Sequence, residues 1–246
     1  MSETSSPRNQ TKAPPRAAAL RRVATLFGST VGKKVVVAVT GLILLGFVLG
    51  HMAGNLKIFE GAELFDGYAR FLREAGSPLV PHGGLLWSAR LVLLVALILH
   101  VVCIAQLSAA SRRARDVSYH QAKDLSFSFA SRTMLWGGIV LLAFVVYHLM
   151  HLTLGVVHPA FIEGSVHHNV ITAFQVPWVP LVYLVALAAL GLHVYHGLWS
   201  TTQTLAVRSP FVRRWRRPVS ALLACGLVIG YLLVPAAVVL GWLRLP

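Results

Sequence analysis

The chain has 246 residues, of which 56% are hydrophobic and 12% charged. The charged share is about half that of an ordinary globular domain, which excludes a water-soluble globule and makes lipid the expected solvent. The formal net charge is +14, but the Lys and Arg residues sit between apolar runs, so they read as a membrane-orientation signal and not as a nucleic-acid surface.

Residues 1–27, rich in Ser, Thr, Pro, Ala and Arg, are expected to form a basic, largely disordered tail. Leu20 to Phe27 is a candidate short interfacial helix. The segment lacks the continuous apolar core and cleavage site of a signal peptide. Residues 28–246 are expected to form one transmembrane domain. A bilayer core of about 30 Å takes roughly 20 apolar helical residues, and five such runs follow. They extend from about Val35 to Asn55, Leu85 to Leu107, Thr133 to Leu154, Trp178 to about Thr201 and Val219 to Trp242, with Pro235 expected to kink the last. No internal repeat or period-two alternation is present, which argues against a β-barrel. The expected fold is therefore an all-α integral membrane protein of five transmembrane helices. Cys103 and Cys225 each lie inside an apolar run, outside any CxxC pattern, so neither a disulfide framework nor a thiolate metal site follows.

Lys and Arg set the expected direction of the spans, because short loops that carry them stay in the cytoplasm. Seven lie in the tail through Lys34, five between Ser108 and Arg132, and five between Thr202 and Arg217. The remaining five are Lys57, Arg70, Arg73, Arg90 and Arg244. The amino terminus is thus expected inside and the carboxyl terminus outside.

Six histidines fall within the spans, His51, His100, His148, His151, His193 and His196, and the span interiors carry no carboxylate. Proton pumps and cation carriers usually need intramembrane Asp or Glu. Histidine without carboxylate suits a ligand that takes neutral imidazole, and haem iron is the commonest such ligand between membrane helices. Counting from mid-span, His51 and His148 lie about 10 Å and 6 Å towards the outside, and His100 and His196 about 6 Å and 10 Å towards the cytoplasm. These are two pairs, each drawn from two helices, with levels roughly 16 Å apart, a span electrons can cross without atoms moving. Gly50, Gly54 and Gly197 would let a porphyrin edge approach the backbone. A single intramembrane histidine usually does no more than hydrogen-bond a neighbouring helix; a matching pair at each of two depths is what favours the haem reading. His151 and His193, one turn from His148 and His196, remain open as ligands, propionate partners or structural groups.

The runs Gly32-Lys33-Lys34, Thr40-Gly41-Leu42 and Gly50-His51-Met52-Ala53-Gly54-Asn55-Leu56 carry a family resemblance. So do Leu99-His100, Arg132-Thr133-Met134 with Trp136-Gly137-Gly138, Phe144 to Leu149, and His196-Gly197-Leu198-Trp199-Ser200 with Gln203. Together these motifs, between about residues 28 and 205, resemble the cytochrome b subunit of succinate:quinone and fumarate:quinone oxidoreductases, in its single-chain, five-helix, two-haem b558 form.

The resemblance implies a four-helix haem-binding bundle with two haem b groups, one axial histidine coming from each of the first four helices: His51 paired with His148, and His100 with His196. It favours these over His151 and His193. It implies a subunit in the inner membrane of a bacterium that anchors a flavoprotein and an iron-sulfur subunit on the cytoplasmic side. Electrons would pass between the iron-sulfur chain and a membrane quinone, often menaquinone, with succinate oxidation the expected direction. Dicarboxylate catalysis would lie in a partner, since the chain has neither a dinucleotide fingerprint nor an iron-sulfur cysteine cluster. Arg132 and Lys123 are candidates to dock those partners or to neutralise haem propionates; positive-inside topology explains them equally well. The family's quinone-site glutamate falls near Glu74, with Glu60, Glu63 and Asp66 in the same acidic segment. Val194 stands where some members carry a proton-transferring glutamate. The rival readings are a haem anchor of another respiratory dehydrogenase and a haem-free transporter or channel with a histidine-lined path.

Overall fold

The structure, a computed structural model, describes residues 28–113, 129–205 and 209–245, with backbone only at 129–132. The tail 1–27, Lys123 and the Arg132 side chain lie outside the described residues. The described residues are helical, with no strand among them. The helices are α1 (Thr30–Leu56), α2 (Ala62–Glu74), α3 (Gly84–Arg113), α4 (Phe129–His148), α5 (Val166–Gln175), α6 (Val179–Thr204) and α7 (Pro210–Val239). A 3-10 turn, Lys57–Glu60, extends α1, and a π-helical turn, Leu149–Thr153, extends α4.

Five of these helices, α1, α3, α4 with its π turn, α6 and α7, are long and apolar enough to cross a membrane. Each coincides with an expected apolar run and extends beyond it into polar sequence. Their ends have local causes. Ser29 caps α1, its Oγ accepting the Gly32 N–H at 2.9 Å, which satisfies one of the free donors of a first turn. Pro residues open α6 and α7, where the missing N–H costs nothing. α7 begins well before the apolar run and stays helical through Pro218 and Pro235. Large apolar side chains such as Leu91, Leu94, Trp136, Val185, Leu222 and Ile229 point outward, as a multi-pass membrane protein requires.

Between apolar helices in lipid the hydrophobic drive is weak, so close packing and hydrogen bonds hold them. α6 packs against α7, α4 and α1, and α1 packs against α3 and α7. Gly191 lets α6 meet α7 closely: a Cβ there would stand 2.8 Å from Val228 Cγ2. Met52 of α1 packs on Gly230 of α7, and the Tyr231 hydroxyl donates to Val48 O at 2.7 Å. Val194, Ala224 and Leu227 form the mid-height core of this α1, α6 and α7 contact.

At one end of the span-length helices, the short helices α2 and α5 cover α6 and α7. Ile58, Phe65, Ile171, Phe174, Val179, Tyr183, Val234 and Val238 form the second core there. Asp66 Oδ1 accepts the His167 N–H at 2.8 Å, so a carboxylate on α2 meets the first turn of α5, where the helix dipole favours it.

Candidate functional site

His51 on α1 and His148 at the last position of α4 are brought together. Their ring centroids lie 5.9 Å apart with the planes nearly perpendicular. Phe47 stacks on His51 at 5.3 Å, Tyr231 lies 6.3 Å from it, and Phe144 lies 5.7 Å from His148. His148 Nδ1 is 3.1 Å from the Tyr183 hydroxyl, which is also 3.2 Å from His151 Nδ1. His151 is buried and stacked on Tyr147 and His158, at 5.1 and 5.0 Å. His158 in turn sits 2.9 Å from Asn169 O through Nε2 and accepts the Ala160 N–H at Nδ1, so its ring carries its proton on Nε2.

His100 on α3 is oriented by α1. Its Nδ1 lies 3.1 Å from Thr40 Oγ1, and that hydroxyl sits 2.7 Å from Val36 O. A hydroxyl has one proton. With it given to Val36 O, Thr40 accepts from His100 Nδ1–H, which leaves Nε2 as a bare lone pair. That is how a metal-binding histidine is usually held, with its second nitrogen tied to an oxygen. The ring facing His100 is His193, with centroids 6.3 Å apart. His196, the partner expected from the motif, has its ring 5.1 Å from Trp199. Among the described ring contacts His100 meets His193 and not His196.

Three helices cross both histidine levels. On α1 the levels are marked by Thr40 and His51, on α4 by Gly138, beside His193, and His148, and on α6 by Tyr183 and His193. Each interval is ten or eleven residues, which at helical rise separates the levels by about 15 to 16 Å. The order reverses on α6, so it runs antiparallel to α1 and α4.

Two imidazoles that bind one metal atom from opposite sides, at about 2 Å each, have ring centroids about 6 Å apart. Both observed pairs have that spacing. Among the described residues no group of three or more His, Cys, Asp or Glu could hold a bare ion. Pairs of histidine instead suit iron whose other ligands come from a macrocycle.

The surroundings partly fit such a group. A Cβ on Gly41 would stand 3.2 Å from His100 Cε1 and one on Gly138 would stand 3.8 Å from His193 Cε1, while Gly50 and Gly197 have nothing within 4 Å. At Gly54 a Cβ would meet the Tyr68 ring at 3.1 Å. Among the described residues the buried polar atoms without a hydrogen-bond partner are the Tyr147 hydroxyl, near His151, and His193 Nδ1, Trp199 Nε1 and Arg216 Nε, towards the other end of the bundle. Arg216 and Arg217 also lie over the Trp199 ring, at 5.7 and 5.5 Å. Thr133, Met134, Gly137, Ala188, Ala189, Leu192 and His193 line a cavity of about 210 Å³. That is below the roughly 300 Å³ at which cofactor sites begin.

The acidic candidates separate by environment. Glu60 pairs with Lys57 at 2.9 Å, Asp66 holds α5, and Glu63 and Glu74 are exposed. Glu74 ends α2. Sequence placed Thr40 and Tyr147 inside motif runs without giving either a role, and it did not single out Tyr183 or His158. A polar side chain within an apolar run was the available signal for the first three. Comparisons with family models, with characterised proteins and with solved structures returned no match.

Proposed function

We propose that the chain is the membrane-anchor, dihaem cytochrome b subunit of a succinate:quinone oxidoreductase. The observation that carries this reading is the two histidine pairs, each with the ring separation of a bis-imidazole metal site, stacked about 15 Å apart along shared helices. The motif resemblance supplies the rest. Haem iron, when bound, carries one electron at a time between its ferric and ferrous states.

His51 and His148 would hold one haem, and Phe47, Phe144 and Tyr231 would shield it from water. His100, oriented by Thr40, would hold the second with a histidine of α6. The motif favours His196 for that role, and the ring geometry favours His193. Trp199 Nε1 and Arg216 Nε, buried and unpartnered, would take anionic propionates, because a buried donor left unmatched costs about 1–3 kcal/mol.

The positive-inside bias supports an amino terminus and His100 level on the cytoplasmic side and a carboxyl terminus outside, in what the resemblance implies is a bacterial inner membrane. Flavoprotein and iron-sulfur subunits would dock on the cytoplasmic side and deliver electrons to the His100 level. A quinone, menaquinone in many such enzymes, would accept them near the His51 level. Glu74 is the sequence candidate for that quinone site.

A reduced-minus-oxidised spectrum of the purified chain tests the reading. Two b haems per chain are expected. A chain without Soret or α-band absorption would sink the proposal and leave a haem-free transporter as the better account. His51→Ala or His148→Ala should remove one haem and His100→Ala the other. Parallel loss in His193→Ala or His196→Ala identifies the fourth ligand. Copurification of a flavoprotein with succinate dehydrogenase activity tests the assignment of partners.

A further inference from the structure

Tyr183 lies on α6 with its hydroxyl between two imidazoles, 3.1 Å from His148 Nδ1 and 3.2 Å from His151 Nδ1. The hydroxyl owns one proton and can also accept. It cannot donate to both nitrogens. If both nitrogens donated to it, its own proton would have no acceptor among the described residues, in a side chain only 8% exposed. That is an orphaned buried donor of the kind folded proteins avoid. One Nδ1 therefore carries hydrogen and donates to Tyr183, while the other is bare and accepts from it.

We infer that Tyr183 is the positioning residue of the His51/His148 site, taking the Nδ1–H of His148 and giving its own proton to Nδ1 of His151. The inference rests on reading His148 as a haem ligand. With the protons arranged in this order, His148 keeps its Nε2 lone pair free. His100 has the same arrangement at the other level, where Thr40 takes its Nδ1–H. His151 is then the outer end of a hydrogen-bonded pair and not an alternative ligand.

The backbone is built for this geometry. The π turn Leu149–Thr153 begins immediately after His148, closed by Leu154 N–H donating to Leu149 O at 2.9 Å. It changes the angular step between His148 and His151, and both rings reach one hydroxyl on the facing helix. π turns inside α-helices are often found at functional sites. Tyr183 is also held by ring contacts with Phe144 and Phe174, each at 4.9 Å, so its hydroxyl has little freedom to leave.

An oxygen that accepts from the outer nitrogen of a ligating imidazole raises the basicity of the inner one and favours the more oxidised metal. Tyr183→Phe removes the acceptor and keeps the ring. In the purified full chain with its haems, Tyr183→Phe should keep both haems and raise the midpoint potential of one. The expected effect is about tenfold in its reduction equilibrium, or roughly 59 mV for one electron, with the other haem unmoved. His151→Leu should keep both haems. Unchanged midpoints in Tyr183→Phe, or loss of a haem in His151→Leu, would overturn the inference. If Tyr183→Phe does not retain the haem, Tyr183→Gln tests the hydrogen bond itself, since its amide oxygen accepts. Recovery of the haem supports the inference and failure overturns it. A wild-type chain with no α-band would instead remove the haem reading, an outcome distinct from all of these.

Discussion

Thr40 shows how much one hydroxyl can fix. It sits 2.7 Å from Val36 O within its own helix and 3.1 Å from His100 Nδ1 on the next, so a single atom ties α1 to α3 and sets the tautomer of the imidazole. Thr40→Val keeps the shape and removes the acceptor. Loss of such a partner typically costs 10–100-fold in metal affinity. Haem titration of the purified variant should show weakened binding of one haem of two by about that factor, with Thr40→Ser restoring it; unchanged affinity would count against the role. The six span histidines were legible because an ionisable side chain in lipid is expensive and stands out. Thr40 stands in the run Thr40-Gly41-Leu42 with nothing to show its purpose. Its use depends on how α1 is rotated against α3, and no local pattern encodes that rotation. The same holds for Tyr183 and for the facing of His193, rather than His196, towards His100.

Helix cores were legible and helix ends and caps were not. A run of about 20 apolar residues has few alternatives to a spanning helix, since backbone groups in lipid must be satisfied within the segment. The short helices α2 and α5 are amphipathic and are stabilised by their contact with each other and with the ends of the long helices, which sequence periodicity reveals only weakly. The π turn is also a product of context. Two residues past it, Gly155 has a φ of +71°, in the left-handed region, and a Cβ there would clash with the Phe161 ring. Gly155→Ala therefore combines a left-handed penalty of about 1–2 kcal/mol with overpacking of about 1–3 kcal/mol. Both act just beyond His148 and His151. Thermal unfolding should begin several degrees lower, and the His51/His148 haem should be released before the other. Phe161→Ala in the same chain should recover part of the loss by removing the clash and leaving the backbone penalty. Equal loss of both haems would show that the turn does not serve the His148 level in particular.

Across the whole molecule the histidine levels and the charge are arranged along the same axis. Lys33 and Lys34 open α1, Arg112 and Arg113 close α3, and Arg213, Arg214, Arg216 and Arg217 lie at the start of α7. All belong to the end nearer Thr40, His100 and Trp199. Lys57, Arg70, Arg73, Arg90 and Arg244 are at the other end. Since cytoplasmic loops retain Lys and Arg, this asymmetry gives the expected direction of the helices and, on the proposed function, of the electron path. On the proposed function, the end that holds the unpartnered Trp199 and Arg216 donors would face the soluble dehydrogenase, and the end capped by α2 and α5 would face away. Reporter fusions check the direction. Alkaline phosphatase, active only after export, should work when fused after Leu245 and fail when fused after Thr204, whereas a cytoplasmic fluorescent reporter should show the reverse. Activity in the opposite places would put the His51 level inward, so that electrons from a cytoplasmic dehydrogenase would enter at the Tyr183 site and the quinone would have to be sought beside His100.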